Sequence, residues 1–137
     1  MVKRIPLDVA LTADGARAYV VNADSNSVSV INTTTNKVVN TIKVGSIPVN
    51  IAITPNGATA YVADTGANAV SAINTATKSV ATIAVGHSPV DVSITPDGSQ
   101  AYVTNAGSNT VSVINTGTNA VTTTVTVGSN PVSATAF

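Results

Sequence analysis

An internal repeat of about 42 residues is the feature that most constrains the fold of this chain, because it predicts copies of one structural unit packed side by side. Proline recurs at positions 6, 48, 89 and 131, so the spacings are 42, 41 and 42 residues. Glycine at 15, 57 and 98 and tyrosine at 19, 61 and 102 keep the same phase. The second unit is one residue shorter between Asn74 and Gly86. We therefore expect the missing residue in the last turn or strand of that unit.

Each unit contains four short runs rich in β-branched residues, which favour strands over helices. In the third unit these runs cover residues 90–94, 101–104, 111–114 and 121–127. Residues 95–98 read Thr-Pro-Asp-Gly, which is a turn sequence because Pro fixes φ and Gly accepts positive φ. No apolar period of 3.6 residues is long enough for a helix. The sequence predicts an all-β fold with one four-stranded antiparallel sheet per unit.

Four strands in every 40–45 residues are typical of a β-propeller blade. The third unit reads Tyr-Val-Thr-Asn at residues 102–105 and closes with Val-Gly at 127–128. On these residues, the Pro-Asp-Gly turn and the Val-Ser-Val-Ile-Asn run at 111–115, the chain resembles the YVTN-repeat β-propeller family. The other two units show Tyr-Val-Val-Asn and Tyr-Val-Ala-Asp at the motif position.

The repeat phase places blade 1 at residues 1–43, blade 2 at 44–84 and blade 3 at 85–127. Residues 128–137 match the inner strand of an incomplete fourth unit. Closed propellers have about four to eight blades, so three do not close a ring. Two chains related by a two-fold axis would make a six-bladed ring, which predicts a homodimer. A fragment of a longer chain and an open or higher assembly remain alternatives.

Composition excludes several classes of function. The six Lys and Arg residues balance six Asp residues, and charged residues make up only 9%, so no basic face is available for nucleic acid. The chain has no Cys, which excludes thiolate metal sites and disulfides. No apolar run approaches the length of a membrane span. With one His, two Arg, no Glu and no G-x-S-x-G motif, we expect no enzyme, catalytic residue, metal or cofactor.

The best candidate surface for a ligand is one mouth of the channel, where inner strands begin and second strands end. The residues proposed there are Asp8, Asn50, Asp91, Asp64, Asn105 and His87. Nearby loops add Asp24, Asn26, Asn68, Ser108 and Asn109. His87 precedes the third inner strand and lies near Asp91 in sequence, an arrangement that would suit a general base oriented by a carboxylate.

Each of these residues also has a purely structural explanation. Asp8, Asn50 and Asp91 would serve equally well as caps of loop amides or as hydrogen-bonding groups between blades. His87 is explained as a varied loop residue. The repeated tyrosines are better explained by packing between blades, with each hydroxyl reaching a polar partner, than by an exposed stacking platform.

The resemblance implies a non-enzymatic scaffold or binding module of the surface-layer or secreted type. The expected location is extracellular or at the cell surface, with other surface proteins or glycans as partners besides a second copy. One alternative is an excised or engineered piece of a propeller whose main property is self-assembly. Another is a lactonase-like or redox-subunit propeller, because related seven-bladed propellers include such enzymes.

Overall fold

The computed structural model describes residues 5–128, and these form three four-stranded antiparallel sheets. Blade 1 consists of β1 (Pro6–Leu11), β2 (Arg17–Asn22), β3 (Ser27–Asn32) and β4 (Lys37–Lys43). Blade 2 consists of β5 (Pro48–Ile53), β6 (Thr59–Asp64), β7 (Ala69–Asn74) and β8 (Val80–Ala84). Blade 3 consists of β9 (Pro89–Ile94), β10 (Gln100–Asn105), β11 (Thr110–Asn115) and β12 (Ala120–Thr126). The predicted all-β fold with four antiparallel strands per unit is confirmed.

Short connections complete the described chain. Two 3-10 helices, Ala23–Ser25 and Thr65–Ala67, join the second and third strands of blades 1 and 2. The extra inner strand predicted for residues 128–137 lies, apart from Gly128, outside the described residues. Across residues 5–128, no helix has the length and apolar character needed to cross a membrane.

The hydrophobic core lies between blades rather than within one sheet. One cluster joins Tyr19, Val28 and Ile42 of blade 1 to Ile51 and Val62 of blade 2. A second cluster repeats this arrangement between blades 2 and 3. Its members include Tyr61, Val70, Ile83, Val92 and Val103. Blade 2 therefore packs one face on blade 1 and the other on blade 3, which is how propeller blades are held together.

Each inner strand has an irregularity near its start. In β1 the pairing with β2 skips Leu7, because Pro6 pairs with Asn22 and Asp8 with Val21. β5 and β9 skip Val49 and Val90 in the same way. A bulge of this kind redirects the side chains next to it. The polar residue that follows each bulge is Asp8, Asn50 or Asp91, so the bulge sets the direction of the predicted site residues.

The one-residue difference between units is a missing bulge in the outer strand of blade 2. In blade 1, Val39 is skipped where β4 pairs with β3, and in blade 3 Thr122 is skipped in the same way. β8 pairs with β7 without such a shift. The loss thus lies in the strand and not in the turn, and at the outer edge of the blade it leaves the core positions in phase.

Candidate functional site

The inner strands are linked by polar side chains that reach from one blade to the next. The Asp8 carboxylate oxygen Oδ2 accepts hydrogen bonds from Asn50 Nδ2 and from the Ile51 backbone amide, both at 3.0 Å. Asn50 Oδ1 in turn accepts a bond from the Val92 amide at 2.9 Å. We call this chain of bonds through Asp8 and Asn50 the inner ladder. It brings two of the predicted site residues together and uses their oxygens to fix the next strand.

Asp64 and Asn105 lie inside their own blades, together with the equivalent Asn22 of blade 1. All three side chains are fully buried. Asn22 Nδ2 donates to Ser29 Oγ and Asn105 Nδ2 donates to Ser112 Oγ, both at 2.9 Å. These residues tie the end of the second strand to the third strand, and the structure does not bring them to an exposed surface.

The serines that hydrogen-bond to these buried side chains were not predicted from the sequence. Ser29, Ser71 and Ser112 occupy the same position of the third strand in every unit, and all three are buried. A serine repeated in an otherwise apolar strand was the available signal, because a buried hydroxyl needs a polar partner. The partner in each case is the residue that ends the YVTN-type motif.

Asp64 differs from its two equivalents because it carries a carboxyl group in place of an amide. Ser71 Oγ donates to its Oδ2 atom at 2.5 Å, whereas its Oδ1 atom is buried without a hydrogen-bond partner in the described part of the chain. Burial raises the pKa of Asp64 to about 6, and hydrogen bonds from Ser71 and the Gly45 amide oppose the rise. The pKa of Asp64 therefore lies well above that of an ordinary aspartate.

The glycines that connect the blades lie directly against these buried groups. A Cβ atom on Gly45 would lie 2.7 Å from Asp64 Oδ2, and one on Gly86 would lie 2.8 Å from Asn105 Cγ. Both distances are shorter than real Cβ contacts. The Val-Gly that closes the first and second units is thus explained by close approach of the linker to the next blade.

Asparagines in the loops between second and third strands hold the linkers. Asn26 Oδ1 accepts a bond from the Ile47 amide at 2.9 Å, and Asn68 Oδ1 accepts one from the Ser88 amide at 3.0 Å. Both asparagines have left-handed backbones, with φ of 52°, a conformation that Asn tolerates well. These loop residues, predicted as part of a ligand surface, connect neighbouring blades.

His87 lies exposed on the linker that enters β9. Its amide donates to Ser108 Oγ at 3.1 Å, and its carbonyl oxygen accepts a bond from the Gly107 amide at 2.9 Å. These contacts fix the backbone and leave the imidazole at the surface. In the described chain, no three His, Cys, Asp or Glu residues are grouped so that they would hold a metal ion.

Tyr19 and Tyr61 pack between blades, as the repeat predicted. Tyr19 and Tyr61 are 2% and 0% exposed. The Tyr61 hydroxyl donates to Asn119 Oδ1 at 2.6 Å, across the junction between blades 2 and 3. Tyr102 of blade 3 is half-buried. Such burial leaves Tyr19 and Tyr61 no face on which a base or sugar could stack.

The opposite end of the blades carries shallow grooves between neighbouring turns. One groove of about 280 Å³ lies between the β1–β2 and β5–β6 turns and includes Asp14, Arg17 and Asn56. A second, of about 310 Å³, lies between the turns of blades 2 and 3. Asp14 is engaged within its own turn, since its Oδ1 atom accepts bonds from Thr12 Oγ1 and the Ala16 amide. The grooves are the gaps left between the turns of neighbouring blades.

Three sequential four-stranded sheets, packed face to face and joined by the inner ladder, define a segment of a β-propeller. The sequence model of the family described as "Lactonase, 7-bladed beta-propeller" matches residues 6–135. The chain therefore belongs to this family of seven-bladed propellers. No curated protein matches the chain.

Solved structures with the same fold are found among larger proteins. A solved structure of Kuenenia stuttgartiensis hydrazine synthase is similar to this chain with 28% identity and a TM-score of 0.90, over 97% of this chain and 40% of that one. A protein of unknown function from Desulfotomaculum acetoxidans is similar with 24% identity and a TM-score of 0.84, over 96% of this chain and 45% of that one. The chain thus spans less than half the length of these structures.

Proposed function

We propose that this chain is a non-enzymatic binding scaffold of the YVTN-repeat, surface-layer type, and that it binds partners through the outer faces of its terminal blades. The supporting observation is a difference in exposure between equivalent residues. Val9 of blade 1 is 57% exposed, whereas its equivalents Ile51 and Val92 are both 5% exposed because a preceding blade covers them. A blade packed on blade 1 would bury Val9 in the same way.

The far face of blade 3 shows the complementary difference. Val125 is 45% exposed, whereas its equivalents Ile42 and Ile83 are both 6% exposed against the following blade. Leu7 and Leu11 add to the apolar surface on blade 1, at 50% and 61% exposure. Exposed apolar patches of this kind mark interaction sites in soluble proteins.

A second copy is the partner that fits both faces at once. Within the chain, Ile42 packs in one cluster with Ile51, and Ile83 packs in one cluster with Val92. Continuing this series would place Val125 of one copy against Val9 of another. Two copies would then close a six-bladed ring, which lies within the usual range of closed propellers. Other surface proteins or glycans would contact the remaining surfaces at an extracellular or cell-surface location.

The test is the solution mass measured by light scattering after size exclusion. A mass of twice 13.6 kDa would support ring closure by two copies. The melting temperature should also rise with protein concentration, because burial of the terminal faces is then bimolecular. A monomer with a constant melting temperature over a hundredfold dilution would contradict the proposed self-association.

A lactonase-like enzyme is the second candidate, because the family model carries that name. Its expected reaction is hydrolysis of a sugar-acid lactone. Assay of several lactones, followed by pH-stat titration of the released acid, tests it directly. Turnover that survives further purification and is lost on substitution of a residue in this chain would favour the enzyme over the scaffold.

A further inference from the structure

Resting on the self-association proposed above, we infer that Asp8 and Asp91 control how tightly two copies of this chain associate. The inner ladder follows one rule at the junction of blades 1 and 2. The side chain on the leading strand accepts the backbone amide of the following strand, as Asp8 accepts the Ile51 amide. The residue on the following strand supplies a second donor, as Asn50 Nδ2 does.

At the junction between blades 2 and 3, Asn50 is the leading residue and accepts the Val92 amide. The equivalent leading residue of blade 3 is Asp91, which pairs with Thr104 as Asn50 pairs with Ala63. A second copy docked on blade 3 would bring its β1 strand to this position. Its Val9 amide would take the place of the Val92 amide, and its Asp8 would take the place that Asp91 has at the junction of blades 2 and 3.

This junction differs from the two internal ones in charge. Each internal junction joins one aspartate to one asparagine, Asp8 to Asn50 and Asn50 to Asp91, whereas here Asp91 would meet Asp8 and two carboxylates would lie at hydrogen-bond distance. Like charges placed opposite each other across an interface oppose association. Asp91 already interacts within its own chain, so its charge, and not a vacant hydrogen-bonding position, matters here.

The described strands around the two carboxylates offer little compensation. β5, β6, β9 and β10 carry no cationic residue, and β6 adds the buried carboxyl group of Asp64. β2 carries only Arg17, which lies at the opposite end of that strand from the residue pairing with Asp8. His87 lies on the exposed linker before β9. Two adjacent carboxylates relieve their repulsion by sharing a proton. Association of two copies should therefore be tighter at acidic pH than at pH 7.

The decisive variant is Asp8→Asn, because it creates at the new junction the same Asp–Asn pair that Asp8 and Asn50 form inside the chain. We expect its dimer dissociation constant at pH 7 to fall by about tenfold or more. The matched control is Asp14→Asn, which removes the same charge elsewhere in blade 1. Asn56 already fills the position of Asp14 in blade 2 and accepts the same two bonds, from Thr54 Oγ1 and the Ala58 amide.

Sedimentation equilibrium at pH 7 and pH 4.5, with circular dichroism to verify folding, measures these constants on the full chain. Asp91→Asn provides a second variant, and the double variant should gain less than the sum of the single gains because one repulsion is removed only once. Association that is equal in wild type, Asp8→Asn and Asp14→Asn would overturn the inferred contact while leaving self-association intact. Absence of association in every variant would overturn both.

Discussion

The Tyr61 hydroxyl donates a hydrogen bond to Asn119 Oδ1, 2.6 Å away, and so joins the core of blade 2 to the last turn of blade 3. We expect Tyr61→Phe to lower the free energy of unfolding by about 1 kcal/mol, because it removes the donor to a partly buried acceptor. Denaturant unfolding followed by circular dichroism measures this. Tyr102→Phe is the control, since Tyr102 is only half-buried, and an equal loss in both variants would contradict the assigned role.

Asp64→Asn should stabilise the protein at neutral pH and remove part of its pH dependence. The pKa of Asp64 is raised to about 6 in the folded chain, so between the unfolded value of 3.8 and about 6 the folded state binds more protons. The contribution of Asp64 to stability therefore falls as the pH rises through this range. The variant should gain on the order of 2 kcal/mol at pH 7 and nothing near pH 3.

Asn105→Asp provides the reciprocal test of that titration, because Asn105 is equally buried and has Gly86 packed against it. This variant should acquire the fall in stability between pH 4 and 7 that Asp64→Asn loses. The pH profile of the urea midpoint measures both. Parallel profiles for wild type and Asp64→Asn would show that Asp64 keeps an ordinary titration in the folded chain.

Gly45→Ala should destabilise the chain more than Gly128→Ala. An added Cβ on Gly45 would lie 2.7 Å from the Asp64 carboxylate, whereas one on Gly128 meets nothing within 4 Å. Forcing a methyl group into a packed contact costs about 1–3 kcal/mol. Melting curves of the two alanine variants test this, and equal melting temperatures would mean that the linker does not need close approach.

Gly57→Val and Gly98→Val should destabilise the protein more than His87→Ala. Both glycines have left-handed backbones, with φ of 74° and 77°, and a β-branched residue there costs about 1–2 kcal/mol or more. His87 contributes only backbone groups to the hydrogen bonds described above. Gly57→Asn separates the effect of the left-handed backbone from the effect of an added side chain, because Asn tolerates a left-handed backbone. Its melting temperature should lie between those of wild type and Gly57→Val.

The repeat in the sequence was sufficient to predict the blades and their phase, because Pro, Gly and Tyr recur at positions fixed by local backbone and packing needs. It also located the one-residue loss between Asn74 and Gly86. The sequence could not show that β8 lacks the bulge of the other two outer strands, because a shorter turn would account for the missing residue equally well. The choice depends on strand pairing, which no local pattern specifies.

The candidate site was only partly predictable for a related reason. Asp8 and Asn50 start successive inner strands, and a hydrogen bond joins their side chains. Asp64 and Asn105 occupy the same end of the blade, but the sequence did not show that both side chains turn into the sheet toward Ser71 and Ser112. Alternation along a strand predicts two faces, whereas the burial of a polar side chain depends on a partner in another strand.

The inner ladder has a consequence for how such proteins lengthen and shorten. Each of its bonds joins one blade only to its immediate neighbour, and the acceptor on the leading strand is a carboxylate in blade 1 and an amide in blade 2. Duplication of blade 2 would add a junction between two asparagines, whereas its deletion would place Asp8 opposite Asp91. Recombination between repeats would thus add a copy of blade 2 in a single step and keep a hydrogen-bond acceptor at every junction.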